Sequence, residues 1–228
     1  MTRSFREELQ GVVDARHQAD HPLIDKWAAG EAGRETIAGA IREHWYWIGN
    51  LIPTALFNIC ANAPEDVVEM EMENYREETD PANPHVELLL RFCEACGMTR
   101  EQLDAERGLP TTECWLNWEL NTSATQHWIA GVAGVHIASE AQEPRLFSKV
   151  LPALRETYKF TEHELEYWWV HAEADIEHGG RAFEILVQHC DTREKQDMAL
   201  HYAAEGARLK YMFWDGINLH YEVGYRLQ

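Results

Sequence analysis

Residues 161–190 limit the fold of this chain more than any other stretch, because they contain no proline and carry His171, Asp175 and His178. These side chains follow one another at intervals of four and three residues. An α-helix has about 3.6 residues per turn, so these intervals place all three on one face. Two imidazoles and one carboxylate are ligand types of non-haem iron sites. The stretch therefore predicts a buried helix that carries metal ligands, and a polar stripe on a surface helix is the alternative.

Helical periodicity dominates the rest of the chain, and no stretch shows a convincing alternation of polar and apolar residues. Proline and glycine mark the breaks between helices. Helices are expected at residues 5–17, 33–62 with a kink at Pro53, 65–79, 85–96, 99–107, 111–143 as one or two helices, a short one from Pro144, 161–190 and about 191–221. No linker divides the chain, so residues 1–228 are predicted to form one all-α domain, a bundle of seven to nine helices.

The composition limits the partners of the protein. The formal net charge is −19, from 39 acidic and 20 basic residues without a basic cluster, which argues against nucleic acid as a partner. No apolar run is long enough to cross a membrane, and no apolar signal core follows the N-terminus, so a cytoplasmic location is expected. The five cysteines do not suggest a disulfide framework. Cys93 and Cys96 form a single C-x-x-C inside a helical pattern and are interpreted as core thiols.

Further carboxylates and imidazoles must come from other helices, because three ligands on one helix do not complete a dinuclear site. Glu78 and His85 lie on either side of residues 80–84, whose prolines interrupt the helix. Glu140 lies among small residues, where a carboxylate is expected to face the interior and to need a partner. Glu143 is an alternative, although its position beside Pro144 predicts that it is exposed.

These residues occur in an order and spacing that resembles the haem-oxygenase-like diiron oxidases and oxygenases, which belong to a wider superfamily with thiaminase II and pyrroloquinoline-quinone synthase. The resemblance implies a haem-oxygenase-like bundle of about seven core helices, two Fe(II) ions or an iron–manganese pair, and O2 as co-substrate. It implies that Glu140 bridges the two metals and is the catalytic carboxylate. The implied metal ligands are Glu78 and His85 on one metal, His171, Asp175 and His178 on the other, and Glu140 on both. We expect the metal held by Glu78 and His85 to bind more weakly, because a broken helix must lose conformational entropy to order its ligands.

The resemblance also implies a reaction, the oxidation of a small carboxylate-bearing substrate. The substrate is expected to be an amino acid or a derivative that undergoes C–C cleavage, N-oxygenation or desaturation in natural-product biosynthesis. An external reductant is an implied partner, and a homodimer is compatible with the family. A buried carboxylate needs a cation or hydrogen-bond donors. The candidate substrate-binding residues are Arg42, Tyr46, Arg208 and Lys210.

Other branches of the superfamily fit the residues less well. Thiaminase II places a nucleophilic cysteine where this chain has Gly134, and the acid that it carries in the second helix is replaced by His44. The branch that forms p-aminobenzoate has a tyrosine where this chain has Ser139. The quinone synthases work without a cofactor and lack the full carboxylate set. Fatty-acid oxidation on the same fold, a metal-free enzyme and a non-catalytic helical binding protein are the remaining alternatives.

Overall fold

The structure of the protein is a computed structural model that describes residues 3–49, 51–82 and 84–227. Within these ranges the chain is helical and has no β-strand, so the predicted all-α class is confirmed. The α-helices, numbered in chain order, are α1 Phe5–Asp14, α2 Pro22–Ala28, α3 Arg34–Ile48, α4 Ile52–Ile59, α5 Glu65–Glu78, α6 His85–Ala95, α7 Arg100–Ala105, α8 Pro110–Thr125, α9 Trp128–Val132, α10 Glu143–Glu156, α11 Glu166–His189 and α12 Arg193–Ile217.

Several helix ends follow directly from local sequence chemistry. The side chain of Ser4 accepts a hydrogen bond from the backbone N–H of Glu7, and the Glu7 carboxylate accepts one from the backbone of Ser4. Thr99 and Gln102 form the same capping box at the start of α7. Gly97 follows α6 with a φ of 86°, a conformation that glycine adopts without strain. These caps satisfy backbone groups that the first and last helical turns leave unpaired.

Some predicted boundaries are wrong. The helix expected at residues 33–62 is divided into α3 and α4, and Pro53 lies in the first turn of α4, where proline needs no hydrogen-bond partner. Residues 111–143 form α8, α9 and two irregular turns. Thr161 and Glu164 make the hydrogen bonds of a capping box, yet α11, expected to begin at residue 161, begins only at Glu166.

Helix α11 lies at the centre of the arrangement that concerns function. It packs along α10 and also contacts α5, α6 and α9. Helix α12 packs against α1, α3 and α8, and α3 packs against α6. A continuous cluster of buried apolar side chains connects these helices and includes Trp27, Phe92, Trp115, Phe147 and Phe213. The polar face of α11 therefore meets side chains from several neighbouring helices inside the bundle.

The segment between α9 and α10 winds irregularly. Ala133–Ile137 forms a π-helical turn and Glu140–Gln142 forms a 3-10 turn. A π turn widens the helix and a 3-10 turn tightens it, so the usual periodicity of side-chain direction is lost here. As a result Glu140 and Glu143 are both buried. The expectation that Glu143 is exposed beside Pro144 is wrong.

Two further observations complete the fold. None of the helices described in the structure has the length and apolar character needed to cross a bilayer. All five cysteines are free thiols, and Cys93 is buried while Cys96 is partly buried. Burial raises the pKa of Cys96 to about 12, which keeps this thiol protonated and agrees with the interpretation of the pair as core residues.

Candidate metal centre

Three predicted ligands meet at one point in the interior, and we call Glu78, His85 and His171 the three-residue cluster. Glu78 ends α5, His85 begins α6, and His171 lies one turn into α11. His85 Nδ1 lies 2.9 Å from Glu78 Oε1, and His171 Nε2 lies 3.9 Å from the same oxygen. The three potential ligand atoms are all within 4.8 Å of one another, and all three residues are buried. The end of α5 and the start of α6 thus both face α11.

The orientation of His171 suits a metal ligand. Its Nδ1 lies 2.8 Å from the backbone oxygen of Tyr167, to which it donates a hydrogen bond. Its Nε2 is buried and has no hydrogen-bond partner among the described residues. A hydrogen bond at one ring nitrogen fixes the tautomer, which leaves the lone pair of the other nitrogen for a metal. Two imidazoles and one carboxylate are a donor set that a ferrous ion accepts, so the residues of the cluster fit iron.

The electrostatics of the three-residue cluster also favour a cation. Burial opposes charge on His171, but the carboxylates of Glu78 and Asp175 outweigh it and raise the pKa of His171 to about 9. Burial likewise opposes ionisation of Glu78, yet the neighbouring imidazoles of His171 and His85 hold the pKa of Glu78 well below its usual range. A metal ion at this position would replace the proton that these groups share.

A second group of ionisable residues surrounds Glu140, and we call Glu71, His136 and Glu140 the Glu140 cluster. His136 Nδ1 lies 2.5 Å from Glu140 Oε2, and His136 Nε2 lies 2.9 Å from both carboxylate oxygens of Glu71. All three residues are buried. Burial opposes protonation of His136, but the carboxylates of Glu71 and Glu140 raise its pKa well above the usual value. The amide of Asn74 also donates to Glu140 Oε2, at 3.4 Å.

Asp175 and His178 follow His171 on the same face of α11. His178 Nδ1 lies 3.7 Å from Asp175 Oδ1, while His178 Nε2 hydrogen-bonds to Oε2 of Glu77 at 2.7 Å. Burial raises the pKa of Asp175 to about 6. Burial lowers the pKa of His178, but the carboxylates of Asp175, Glu140 and Glu77 outweigh it and raise that pKa to about 9. In this structure His178 therefore pairs with Glu77 and lies close to the carboxylate of Asp175.

The face predicted for α11 agrees with the burial of its residues. His171, Asp175 and His178 are buried, whereas Glu173 and Glu177 are exposed. The grouping of the ligands differs from the predicted division, because His171 joins Glu78 and His85 instead of Asp175 and His178. The reason is that the end of α5 and the start of α6 lie against the first turns of α11, whereas Asp175 and His178 lie one and two turns further along that helix.

Sequence reasoning missed Glu71 and His136. Glu71 lies seven residues before Glu78 on α5, which places both on the same face of that helix. His136 lies four residues before Glu140. Each spacing relates a missed residue to a predicted ligand, and the small residues around His136 indicate a buried position, so both residues had a signal in the sequence.

The candidate substrate-binding residues lie in different environments. Arg42 hydrogen-bonds to Glu106 and Tyr221, and Arg208 is 65% exposed and pairs with Glu205 at 2.6 Å. Tyr46 lines a cleft at the surface together with acidic and basic residues. The structure does not bring these three side chains to the three-residue cluster.

Lys210, the fourth candidate, is fully buried. Its ammonium lies 3.0 Å from Glu143 Oε1 in an ion pair that lacks hydrogen-bond geometry. The ammonium also lies over the rings of Trp47 and Trp115, at 4.1 and 4.0 Å from their centroids. These contacts fix the charge of Lys210 beside Glu143.

A narrow cavity of about 10 Å³, with room for roughly one water molecule, lies near the three-residue cluster. Its lining residues are Trp27, Ala40, Ile41, His44, Glu143, Leu146, Phe147, Trp168 and Trp214. Two of them connect the cavity to His171. The Phe147 ring lies 6.4 Å from the His171 ring, and His44 Nε2 lies 2.7 Å from the hydroxyl of Tyr167, whose ring packs on His171 at 4.1 Å.

Comparison with known proteins agrees with this geometry. Residues 43–211 match the model of a family described as iron-containing redox enzymes. The 4-aminobenzoate synthase of Nitrosomonas europaea is 25% identical, and the match covers 96% of this chain and 93% of that protein. A pyrroloquinoline-quinone synthase of Pseudomonas aeruginosa is 28% identical over 89% of this chain and 82% of the relative.

Solved structures show the same fold. A TenA homologue from Pseudomonas syringae pv. tomato superimposes with a TM-score of 0.80 and 15% identity, covering 93% of this chain and 90% of that one. A domain with a haem-oxygenase-like fold from Shewanella denitrificans gives a TM-score of 0.78 and 20% identity, covering 97% and 94%. The predicted haem-oxygenase-like fold is confirmed.

Proposed function

The chain belongs to the family of iron-containing redox enzymes, and from that premise we propose that it is an O2-dependent non-haem diiron oxidoreductase that oxidises a small organic substrate. The observation that carries the proposal is the three-residue cluster, in which a buried imidazole nitrogen of His171 points at Glu78 without a hydrogen-bond partner. A buried polar atom without a partner is costly, so proteins keep few of them outside functional sites. Iron held by these three residues would satisfy this nitrogen.

The second metal is proposed to lie among Glu140, Asp175 and His178, with Glu140 as the carboxylate shared between the two ions. What supports this position is the concentration of buried carboxylates and imidazoles on the face of α11 next to the three-residue cluster. To bind there, the metal must replace the hydrogen bond between His178 and Glu77. It must also compete with His136 for Glu140.

Two ferrous ions, when bound, supply the electrons and the open coordination positions that O2 chemistry requires. The residues of the chain hold and orient the ligands. The backbone oxygen of Tyr167 fixes the tautomer of His171, and the pair of Glu71 and His136 holds Glu140 in place. Phe147 and Trp168, both buried, exclude water from the space beside His171. We propose that the substrate binds on the Phe147 side of His171, where the narrow cavity must widen to admit it.

The remaining partners are part of the same proposal. An external reductant is a proposed partner, which would return the bound metals to the ferrous state between turnovers. A cytoplasmic location and a homodimer are proposed from the sequence.

The alternatives make different demands on the cavity and the ligands. Oxidation of a long fatty acid needs a channel that reaches the metals, whereas the cavity near the cluster has only about 10 Å³, room for roughly one water molecule. Formation of 4-aminobenzoate is the second candidate, because relatives of that name match nearly the whole chain. Ser139, which stands where that branch has a tyrosine, is buried and donates a hydrogen bond to Glu119 at 2.5 Å. A metal-free enzyme would leave His171 Nε2 unsatisfied.

Iron loading followed by exposure to O2 tests the proposal. We expect the protein purified without metal to bind about two equivalents of Fe(II) anaerobically and to oxidise them when O2 is admitted, with measurable O2 consumption. His171→Ala should lose this reaction, and Glu173→Ala, which changes an exposed residue on the same helix, should keep it. Binding of less than one equivalent of iron by the wild type contradicts the proposal.

A further inference from the structure

The side chain of Glu77 connects the proposed second metal site with the protein surface. His178 is buried, with 8% of its side chain exposed, but its Nε2 hydrogen-bonds at 2.7 Å to Oε2 of Glu77, whose side chain is 45% exposed. The three-residue cluster has no such connection among the described residues, because Glu78, His85 and His171 pair with one another or with a backbone oxygen. A metal ion that approaches His178 from solvent therefore meets Glu77 first.

Glu77 ends a row of exposed carboxylates on α5. The row consists of Glu65, Glu69, Glu73 and Glu77, which are four residues apart and therefore lie on one face of the helix. The helix contains seven acidic residues and one basic residue, Arg76. Carboxylates four residues apart repel one another and destabilise a helix slightly, so helix stability does not explain the row. Its negative potential attracts cations and raises their concentration at this surface.

The two carboxylates of the row that lie near His178 differ in their partners. Glu73 pairs with the guanidinium of Arg181 at 2.5 Å, which neutralises its charge. Glu77 has no arginine or lysine partner in the described part of the chain, and its side chain hydrogen-bonds to His178 alone. A divalent ion that binds Glu77 therefore breaks no ion pair with a permanently charged side chain, and it displaces only the proton that Glu77 shares with His178.

A space for about one water molecule lies beside His178. Its volume is about 10 Å³, and its lining residues are Met70, Asn74, His136, His178 and Arg181. Asn74 donates a hydrogen bond to Glu140 at 3.4 Å, and its Oδ1 is buried with no hydrogen-bond partner among the described residues. The space thus lies between His178 and side chains that contact Glu140. It is too narrow for an organic substrate, but it admits an ion that has shed most of its water.

We propose that Glu77 is the entry residue of the second metal site, where it binds a divalent cation from solvent and transfers it to His178. The proton that the two side chains share is released to solvent, and Nε2 of His178 is then free to bind the ion. The ion moves on to Glu140 and Asp175, and Glu77 is not among its final ligands. This inference rests on the proposed function in one respect, that a second metal binds at Glu140, Asp175 and His178.

Rapid mixing of the metal-free protein with Co(II) tests the role of Glu77 without any turnover. The visible absorbance of bound Co(II) follows both sites, and the part of the signal that is missing in Asp175→Ala belongs to the second site. Glu77→Gln should slow this part about tenfold, because the charge that attracts the ion is lost, and should leave the remainder unchanged. Release of Co(II) to excess EDTA should slow at least as much, because an entry residue serves both directions. The equilibrium affinity of the second site should therefore not fall.

Three further variants separate the contact with His178 from the general charge of the row. Glu69→Gln is the matched control, because it removes the same charge roughly 12 Å away along the helix, beyond the screening length at physiological salt. It should slow binding at the second site by less than about twofold. Glu77→Asp keeps the charge and should keep most of the rate. Arg181→Gln removes a cation from the wall of the narrow space and should not slow binding.

Several outcomes would overturn the entry role. Binding at the second site that is equally fast in Glu77→Gln and wild type contradicts it, and so does equal slowing by Glu69→Gln. Slower binding together with a lower equilibrium affinity would make Glu77 a ligand of the bound metal instead. The two proposals remain distinguishable. A wild type that binds a single ion contradicts the second metal and the entry role with it, whereas two bound ions with no effect of Glu77→Gln contradict the entry role alone.

Discussion

The three-residue cluster and the Glu140 cluster lie against the same helix but differ in how their members are paired. In the three-residue cluster, Nε2 of His171 has no hydrogen-bond partner among the described residues and lies 3.9 Å from Glu78. In the Glu140 cluster, His136 uses both ring nitrogens, one for Glu140 and one for Glu71. The three-residue cluster therefore has one ring nitrogen free to bind a metal. In the Glu140 cluster both ring nitrogens of the histidine are used in hydrogen bonds.

The difference follows from the helices that supply the residues. Glu78 and His85 come from the two ends of a helix break, where side chains can converge on one point from two directions. Glu71 lies in the middle of α5, and His136 lies in a π turn beside it. Their buried side chains meet face to face and neutralise each other. A metal at the three-residue cluster therefore breaks fewer protein hydrogen bonds than one at Glu140.

This comparison reverses the expectation from the sequence that Glu78 and His85 hold the weaker metal. That expectation assigned the entropy cost of the broken helix to metal binding. In the structure His85 Nδ1 already lies 2.9 Å from Glu78 Oε1. The conformational entropy of ordering these two side chains is therefore lost on folding and not on metal binding. We now expect the weaker metal at Glu140, Asp175 and His178.

The largest effect is expected from breaking the Glu140 cluster. Glu71→Gln leaves the buried His136 with only one carboxylate, and the loss of one partner from a buried charged pair costs about 4 kcal/mol of folding free energy. Urea denaturation of the metal-free protein measures it. Glu69→Gln, at an exposed position on the same helix, should be neutral. Equal stability of the two variants contradicts the charged pairing.

The next effect is on iron affinity. His171→Ala should lower the affinity for the more tightly bound Fe(II) ion by at least about a hundredfold. Even residues that only support metal ligands commonly contribute tenfold to a hundredfold to metal affinity. Asp175→Ala and His178→Ala should lose only the weaker iron. Anaerobic titration with Fe(II) measures both steps, with Glu173→Ala and Glu177→Ala as exposed controls. If Asp175→Ala instead loses the more tightly bound iron, the tighter site is the one at Glu140, Asp175 and His178.

The smallest predicted effect concerns pH and a carboxylate beside the Glu140 cluster. Burial raises the pKa of Glu119 to about 7, even though Ser139, Lys210, Trp47 and Trp115 oppose this rise. Because the folded protein holds this proton more tightly than the unfolded chain, stability falls as pH rises from about 4.5 to about 7. Glu119 alone should remove about 2 kcal/mol between pH 5 and pH 7.

Urea denaturation of wild type and Glu119→Gln at several pH values isolates this contribution. The stability difference between the two proteins should change in favour of the variant as pH rises, while groups common to both cancel. A difference that does not depend on pH means that Glu119 is ionised throughout. The hydrogen bond that Glu119 accepts from Ser139, next to the turn at Glu140, would then not depend on pH.

How far the sequence predicted the site depends on whether the information is local. The shared face of His171, Asp175 and His178 follows from helical periodicity alone, and their burial agrees with it. The break between Glu78 and His85 follows from the prolines. The pairing of His136 with Glu71 joins residues 65 positions apart, which periodicity cannot relate. Glu143 is buried and not exposed as predicted, because the π and 3-10 turns before it change the direction of its side chain.

The fold was more predictable than the site because helix caps and breaks are local signals. Ser4, Thr99 and Gly97 mark helix ends where the structure has them. The grouping of ligands depends on which ends meet after packing. His171 lies with Glu78 and His85 because the end of α5 and the start of α6 pack against the first turns of α11. The spacing of residues within one helix does not predict this contact.

The most direct test asks whether the three-residue cluster binds iron before the proposed second site at Glu140, Asp175 and His178. Crystals of the protein prepared anaerobically with one equivalent of Fe(II), and measured at the iron absorption edge, answer this question. The account predicts one anomalous peak, bound by Glu78, His85 and His171. A peak among Glu140, Asp175 and His178, with none at His171, would contradict it.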